Sequence, residues 1–233
     1  MIGVLKFIQG GVMKVFVTGA TSGFGEAIAK RFKTEGNEVI ASGRRVDRLK
    51  KLSKEIGVDY EVLDVTDRQM VFDLFEKYQD LDILVNNAGL ALGLEPAYET
   101  DIEDWEKMVD TNIKGVMYCT RAVLPSMAKR NAGHIINIGS VAGSWPYPGG
   151  NDYGSSKAFV QQFSRNLRND LFGTKVRCTN IEPGMADTEF SYVRFKGDKT
   201  KADKVYEGTK PLTAEDIAEV VYWCATLPEH VNL

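Results

Sequence analysis

Apolar runs rich in β-branched residues alternate along this chain with amphipathic segments of helical period. The apolar runs predict strands, and the amphipathic segments predict helices between them. Strands that alternate with helices form parallel sheets covered on both faces, so the pattern predicts a doubly wound, Rossmann-like α/β fold in a single domain. The predicted strands cover residues 15–17, 38–41, 60–63, 83–85, 134–138 and 176–181, and the predicted helices cover about 24–34, 46–55, 67–78, 102–130 and 153–171.

The two ends of the chain and one internal segment depart from this alternation. Residues 1–12 hold a short apolar patch without the features of a signal peptide, and we interpret them as an N-terminal extension from an upstream start, or as an artefact. The domain is then assigned to 13–233, with a last helix that begins at Thr213 through a capping box with Asp216. The polar stretch 189–210 is predicted to be a lid-like loop, because long loops in compact domains often cover binding sites.

Composition and charge narrow the function classes. A hydrophobic content of 43% and a charged content of 26% are ordinary for a soluble globular protein. The net charge of -3, without a basic block, argues against nucleic acid as the main partner, and the N-terminal apolar patch is too short to span a bilayer. Three cysteines and two histidines are widely separated, so neither a disulfide framework nor a metal site is expected. We expect a cytoplasmic protein that acts on a small molecule.

A glycine-rich turn follows the first predicted strand. Gly19 comes directly after the strand, and Gly23 and Gly25 open the next helix. This spacing lets the backbone approach a pyrophosphate at the positive end of the helix, whereas the competing interpretation is a flexible turn without a ligand. The candidate residues for this part of a cofactor site are Gly19, Thr21, Ser22, Gly23, Phe24 and Gly25.

The second predicted strand leads into Arg44 and Arg45, at the place where a dinucleotide fold that binds NAD carries an acid. Two guanidinium groups there offer charge-assisted donors to a 2'-phosphate, which favours NADP over NAD as the cofactor. In the alternative interpretation, the arginines form only a solvated start to the next helix, paired with Asp47.

Tyr153 and Lys157 are four residues apart on a predicted helix, a spacing that places both side chains on one face. An ammonium group there can lower the pKa of a phenol and adapt it to proton transfer. The spacing alone is weak, because Tyr192 with Lys196 and Tyr206 with Lys210 repeat it. Only the first pair follows a predicted strand that ends in a hydroxyl, that of Ser140, where open α/β sheets bind their ligands.

The order of these motifs resembles the short-chain dehydrogenase/reductase superfamily, from Lys14 to nearly the end of the chain. The motifs are the glycine turn, the segment Asn86-Asn87-Ala88-Gly89, Asn112, Ser140, Tyr153 with Lys157, and Pro183-Gly184. The resemblance implies cofactor contacts by Asp64 and Val65 at the adenine, by Asn87, Ala88 and Gly89 along the cofactor, by Tyr153 and Lys157, and by Pro183, Gly184, Met185 and Thr188 at the nicotinamide.

A hydride-transfer mechanism follows from these residues. We expect Ser140 to hydrogen-bond the substrate oxygen, while Tyr153 donates the proton during reduction and removes it during oxidation. Lys157 stabilises the tyrosinate and, as the resemblance implies, holds the nicotinamide ribose. Asn112 looks like the fourth catalytic member of the family, which shapes its helix and supports a proton relay; the alternative is a purely structural asparagine.

Two further segments, 143–147 and 189–197, resemble the NADP-dependent 3-hydroxy acid dehydrogenases, which oxidise serine, allo-threonine and related acids and reduce malonic semialdehyde. Arg194 and Lys196 are candidates for the cation that a substrate carboxylate needs, although basic loops are often only solvated. Trp145 and Met185 narrow the pocket or, alternatively, pack in the core.

The sequence also leaves two alternative functions, and the resemblance implies an oligomeric state. A broad carbonyl reductase for neutral ketones is the second enzymatic interpretation, and a protein that senses NADP without catalysis is the third, since fold does not imply function. Members of the family are commonly homotetramers, which the resemblance implies for this chain as well.

Overall fold

The computed structural model describes residues 11–233, so the expectation for the N-terminal extension falls largely outside the described residues. The described chain forms a six-stranded, fully parallel sheet with the strand order β3-β2-β1-β4-β5-β6. The order reverses between β1 and β4, which places a crevice outside their carboxyl ends. The strands are β1 (Lys14–Val17), β2 (Glu38–Gly43), β3 (Asp59–Val62), β4 (Ile83–Asn86), β5 (Gly133–Ile138) and β6 (Val176–Ile181).

Helices cover both faces of this sheet, as the alternating pattern predicts. Helices α1 and α9 pack against each other on one face, and α3 and α5 pack together on the other. The helices are α1 (Gly23–Thr34), α2 (Val46–Ile56), α3 (Arg68–Phe75), α4 (Ile102–Val109), α5 (Val116–Arg130), α6 (Asn151–Asp170), α7 (Glu189–Arg194), α8 (Lys199–Lys204) and α9 (Ala214–Thr226).

The central strand β1 shows how the sequence builds two cores. Its side chains alternate between the faces, so Val15 and Val17 join the cluster under α1 and α9, while Phe16 joins the cluster under α3 and α5. Phe16 stacks at a tilt on Phe75 with ring centroids 4.7 Å apart. Because both faces are buried, the three residues that follow Lys14 in the strand are all apolar, and such continuous apolar runs are typical of parallel sheets.

Two predicted segments contain structure that the sequence did not indicate. The helices predicted over 102–130 are α4 and α5, and they are joined by a π-helical turn, Asp110–Gly115, which contains Asn112. The stretch 189–210, predicted as a loop, contains α7 and α8. The stretch is thus not loop throughout, because Thr188 and Asp198 each cap a short helix, accepting a hydrogen bond from the backbone N–H of Phe190 and Lys201 respectively.

The last helix has the predicted start. The Thr213 hydroxyl accepts a hydrogen bond from the Asp216 backbone N–H, and the Asp216 carboxylate accepts one from the Thr213 backbone N–H, so the capping box is confirmed. No helix in the described part of the chain is long and apolar enough to cross a membrane, and within residues 11–233 no three His, Cys, Asp or Glu side chains are grouped as metal ligands.

His134 lies in β5 with only 2% of its surface exposed. Its Nε2 is 2.9 Å from the Thr179 hydroxyl, and burial lowers the pKa of the imidazole to about 3. The folded protein therefore binds this proton far less readily than the unfolded chain, in which the pKa of histidine is about 6.5. A depressed histidine pKa makes stability fall as the pH decreases through the window between these two values.

We predict that His134→Gln removes part of the acid sensitivity of folding. Between pH 7 and pH 5, the wild-type free energy of unfolding should fall by roughly 2 kcal/mol more than that of the variant. Urea unfolding at both pH values measures this difference, and His230→Gln, at an exposed position, is the matched control. Equal pH dependence in wild type and His134→Gln would contradict the buried neutral imidazole.

Candidate active site

A cleft of about 790 Å³ opens at the carboxyl ends of the strands. It is lined by the glycine turn after β1, the ends of β2, β4, β5 and β6, the start of α6, and α7. The predicted cofactor residues line this cleft except Gly25, the predicted substrate residues line it except Lys196, and the predicted catalytic residues line it except Asn112. Gly25 and Asn112 pack directly behind the wall, because Gly25 lies against the Asn87 side chain and Asn112 bonds Leu90.

The glycine turn is built by close backbone contact. Gly19 and Gly23 have positive φ values of 68° and 53°, which favour glycine. A Cβ atom on Gly19 would lie 2.8 Å from Ala88 Cα, and one on Gly25 would clash with the Asn87 amide. Asn87 Nδ2 donates hydrogen bonds to the carbonyl oxygens of Thr18 and Gly19, at 2.9 and 3.2 Å. The turn and the end of β4 thus form one rigid wall.

The two predicted phosphate-binding arginines have different surroundings. Arg44 is exposed over 67% of its side chain, and its only ion pair within the described residues is a 3.8 Å approach to Asp64. Arg45 is engaged by three groups: Nε donates to the Thr21 hydroxyl at 2.9 Å, and the two Nη atoms donate to Ser22 Oγ and Glu189 Oε2, each at 2.7 Å. The charge partner of Arg45 is therefore Glu189, not Asp47.

Arg48 and Glu189 were not predicted as site residues. Arg48 donates two hydrogen bonds to the Glu189 carboxylate, at 2.7 and 2.9 Å, and Arg45 donates a third. Arg45 is the N-cap residue of α2, and Arg48 follows it by three positions, a spacing that brings both side chains to the same side of the helix start. That spacing was the available sequence signal for Arg48, whereas Glu189 had none.

The predicted proton-transfer residues come together at the start of α6. Lys157 Nζ donates to the Ile138 carbonyl at 2.8 Å and lies 5.7 Å from the centre of the Tyr153 ring. Ser140 caps the turn that leads to α6, since its hydroxyl accepts a hydrogen bond from the Ala142 backbone N–H at 3.1 Å. The strand end thus brings a hydroxyl, a phenol and an amine to one wall of the cleft.

Burial dominates the electrostatics of this wall. It raises the pKa of Tyr153, while hydrogen bonding with Ser140 and the positive charge of Arg194 act in the opposite direction. Burial also lowers the pKa of Lys157 to about 8, because desolvation disfavours the ammonium form. At neutral pH the Tyr153 phenol is therefore protonated.

Asn112 makes three local hydrogen bonds from the π-helical turn. Its Oδ1 accepts from the Leu90 backbone N–H at 2.9 Å, and its Nδ2 donates to the Leu90 carbonyl at 2.8 Å and to Ser156 Oγ at 3.0 Å. These bonds join the segment after β4 to α6, which carries Tyr153 and Lys157.

Arg194, at the end of α7, faces the proton-transfer wall. Its Nη2 donates to Tyr147 Oη at 2.6 Å, and its guanidinium carbon is 5.1 Å from the centre of the Tyr153 ring. Its Nε is buried and has no hydrogen-bond partner among the described residues. A buried donor without a protein partner is unusual.

The other three candidate substrate residues differ in whether they line the cleft. Lys196 forms an ion pair with Asp104 at 2.7 Å and does not line the cleft, so it is not the cation that faces Tyr153. Trp145 and Met185 do line the cleft and are 73% and 50% exposed, which rules out the alternative that they pack in the core. Tyr147 belongs to the same wall and was not singled out from the sequence.

Comparison with known proteins places this geometry in a family. The family model described as short chain dehydrogenase matches residues 13–198. The NADP-dependent 3-hydroxy acid dehydrogenase of Salmonella typhi is 61% identical over 95% of this chain and 92% of that protein. Sulfoacetaldehyde reductase 2 of Chromohalobacter salexigens is 52% identical over 94% of this chain and 90% of that protein.

Solved structures agree with the sequence comparison. The closed form of serine dehydrogenase complexed with NADP+ matches with a TM-score of 0.93 and 58% identity, over 95% of this chain and 92% of that one. A family model that matches most of the chain, together with relatives of this identity, establishes the family. The chain belongs to the short-chain dehydrogenase/reductase family.

Proposed function

We propose that this chain is an NADP-dependent dehydrogenase of short 3-hydroxy acids, which also reduces the corresponding semialdehydes or keto acids. The observation that carries the proposal is the placement of Arg194. Its buried, unpartnered Nε lies beside Tyr153 and in the same cleft as Ser140, so one ligand can present an oxygen to the hydroxyls and a carboxylate to the guanidinium.

The cofactor part of the cleft fits a dinucleotide. The glycine turn leaves no room for a Cβ at Gly19 or Gly25 and presents backbone at the start of α1, where a pyrophosphate would bind. Arg44, exposed and weakly paired, is the residue best placed to meet a 2'-phosphate. Asp64, Val65, Asn87, Ala88 and Gly89 line the adjoining wall, and Pro183, Gly184, Met185 and Thr188 line the opposite end. When bound, NADP accepts or supplies the hydride.

The residues of the chain move the proton and orient the substrate. In reduction, Tyr153 donates its proton to the substrate oxygen, which Ser140 holds by a hydrogen bond. Lys157, with a pKa of about 8, is protonated at neutral pH and stabilises the phenolate that remains. Arg194 adds a second positive charge to the same wall. In oxidation, the same phenolate removes the hydroxyl proton.

The names of the relatives support an anionic substrate. A 3-hydroxy acid, serine and sulfoacetaldehyde each carry an acidic group near the carbon that is oxidised or reduced. Arg194 offers a planar, charge-assisted donor that suits a carboxylate or a sulfonate. We choose 3-hydroxy acids because the more similar relatives carry that name.

Location and assembly belong to the same proposal. We propose a cytoplasmic protein, since Cys119, Cys178 and Cys224 are buried free thiols, which a reducing compartment preserves. We also propose a homotetramer, which is common in the family. The outer face of α9 exposes Val220 and Trp223, which suits burial against another copy.

We predict that Tyr153→Phe leaves NADPH binding within about threefold of wild type and lowers kcat by about 10²- to 10⁴-fold, because only the proton donor is lost. Cofactor fluorescence titration and steady-state rates measure the two effects. Retention of full turnover in this variant would overturn the role of Tyr153.

We predict that Arg44→Gln weakens NADPH binding about tenfold and leaves NADH binding within about twofold, because only the 2'-phosphate loses a charged donor. Titration with both cofactors measures the selectivity. Arg165→Gln, at an exposed position on α6, is the control for loss of positive charge. Equal weakening of both cofactors would contradict a phosphate-specific Arg44.

We predict that Arg194→Gln lowers kcat/KM for 3-hydroxybutyrate about 10- to 100-fold, because a hydrogen bond to a charged group is lost. For the neutral methyl ester of this substrate, which has nearly the same shape, kcat/KM should change by less than about threefold. A wild-type enzyme that prefers the ester, or neutral ketones in general, would favour the broad carbonyl reductase instead.

A further inference from the structure

Helix α7 carries Arg194 as its last residue, yet it has only six residues. Isolated helices of this length are unstable in water, because each end leaves backbone groups unpaired and nucleation is costly. The orientation of Arg194 must therefore come from tertiary contacts that hold α7 in place. Two groups of ionic contacts lie at opposite ends of this helix.

The first contact holds the start of α7 to the cofactor side of the cleft. The Glu189 carboxylate accepts hydrogen bonds from both Arg45 and Arg48, at distances of 2.7 to 2.9 Å. Arg48 is the largest cause, ahead of Arg45, that lowers the pKa of Glu189 to about 2, so the carboxylate is charged at any physiological pH. This end of α7 is thus tied to α2.

The second contact holds the end of α7 to the opposite wall. Lys196, two residues beyond Arg194, has a φ of 51° and places its ammonium 2.7 Å from Asp104 of α4. The Asp104 side chain is only 7% exposed, so Lys196 neutralises a buried carboxylate. The Arg194 carbonyl also accepts a hydrogen bond from the Gly93 backbone N–H at 2.9 Å.

We propose that Glu189 and Lys196 are positioning residues, whose ion pairs anchor α7 on the two walls of the cleft and thereby hold Arg194 over Tyr153 for the substrate's anionic group. The inference rests on the proposed function, because it gives these anchors the task of presenting Arg194. It assigns substrate discrimination to two residues that do not themselves meet the substrate's acid group.

Ordinary surface ion pairs contribute little, and these two differ from them in their partners. Glu189 receives two guanidinium groups, and the loss of either one leaves the other to hold it. Lys196 is the close partner, at 2.7 Å, of a buried carboxylate whose other cation, Lys107, lies 3.8 Å away, and a buried charge that loses its close partner is costly. A local rearrangement that restores solvent to Asp104 would move the segment that contains Arg194.

The test uses Lys196→Gln and Glu189→Gln in the full chain, with kinetics on 3-hydroxybutyrate and on its methyl ester. For each variant we expect KM for the acid to rise about three- to tenfold, with a larger rise in the double variant. We expect kcat for the acid and KM for the ester to change by less than about twofold. The reason is that a displaced Arg194 weakens binding of the acid alone.

Two matched variants distinguish loss of the ion pair with Asp104 from loss of a positive charge alone. Lys196→Arg keeps an ion pair with Asp104 and should restore the wild-type KM for the acid. Lys199→Gln removes an exposed lysine of α8 that has no ion pair among the described residues, and this variant should leave KM unchanged. Circular dichroism and the thermal midpoint verify that each variant is folded.

Three results would overturn the inference. The first is equal KM increases for acid and ester, which would mean that α7 only closes the cleft. The second is an unchanged KM for the acid in both single variants and the double variant. The third is tighter NADPH binding in Glu189→Gln with an unchanged KM for the acid, which would mean that the carboxylate acts on the cofactor phosphate.

Failure of the proposed function would look different. A wild-type enzyme without any preference for the acid over the ester would contradict the carboxylate site itself. The anchoring role alone would be contradicted if the wild-type enzyme prefers the acid over the ester, and this preference is lost in Arg194→Gln but kept in Lys196→Gln and Glu189→Gln.

Discussion

Where β1 and β4 end side by side, the glycine turn packs against Asn87 and Ala88 so closely that no side chain fits between them. Thr18 completes the junction, because its hydroxyl accepts hydrogen bonds from the backbone N–H groups of Asn87 and Ala88 while donating to the Val85 carbonyl. The strand order reverses here, so the junction lies at the floor of the crevice. The cleft walls, the start of α1 and the segment that leads to Asn112 all take their positions from this contact.

Burial sets the chemistry that the cleft can support. The wall of Tyr153 and Lys157 is desolvated, which raises the pKa of the phenol and lowers the pKa of the ammonium group. Burial raises the pKa of Tyr153, and the cation that opposes this rise is Arg194, from the other side of the cleft. The positive charge that acts on the phenol therefore comes from the short helix α7.

The segment 189–210 shows the limit of compositional reasoning. Its polar sequence lacks the apolar periodicity of a buried helix, so it was predicted as a loop. The segment instead forms two short capped helices, one of which carries Arg194. Similarly, apolar periodicity predicted helices over 102–130 and did not reveal the π-helical turn between them, in which Asn112 forms hydrogen bonds with Leu90 and Ser156.

The sequence by itself determined the α/β fold, the strand positions, the glycine turn and the Tyr153–Lys157 pair. These features follow from local backbone geometry: a period of two, a period of 3.6, positive φ at glycine, and i,i+4 spacing on one helix. Only the tertiary structure decided that Arg194 and not Lys196 faces Tyr153, and that Arg45 pairs with Glu189, 144 residues away. Such pairings depend on how the chain packs, because a local pattern specifies the face of an element and not the charge that it will meet.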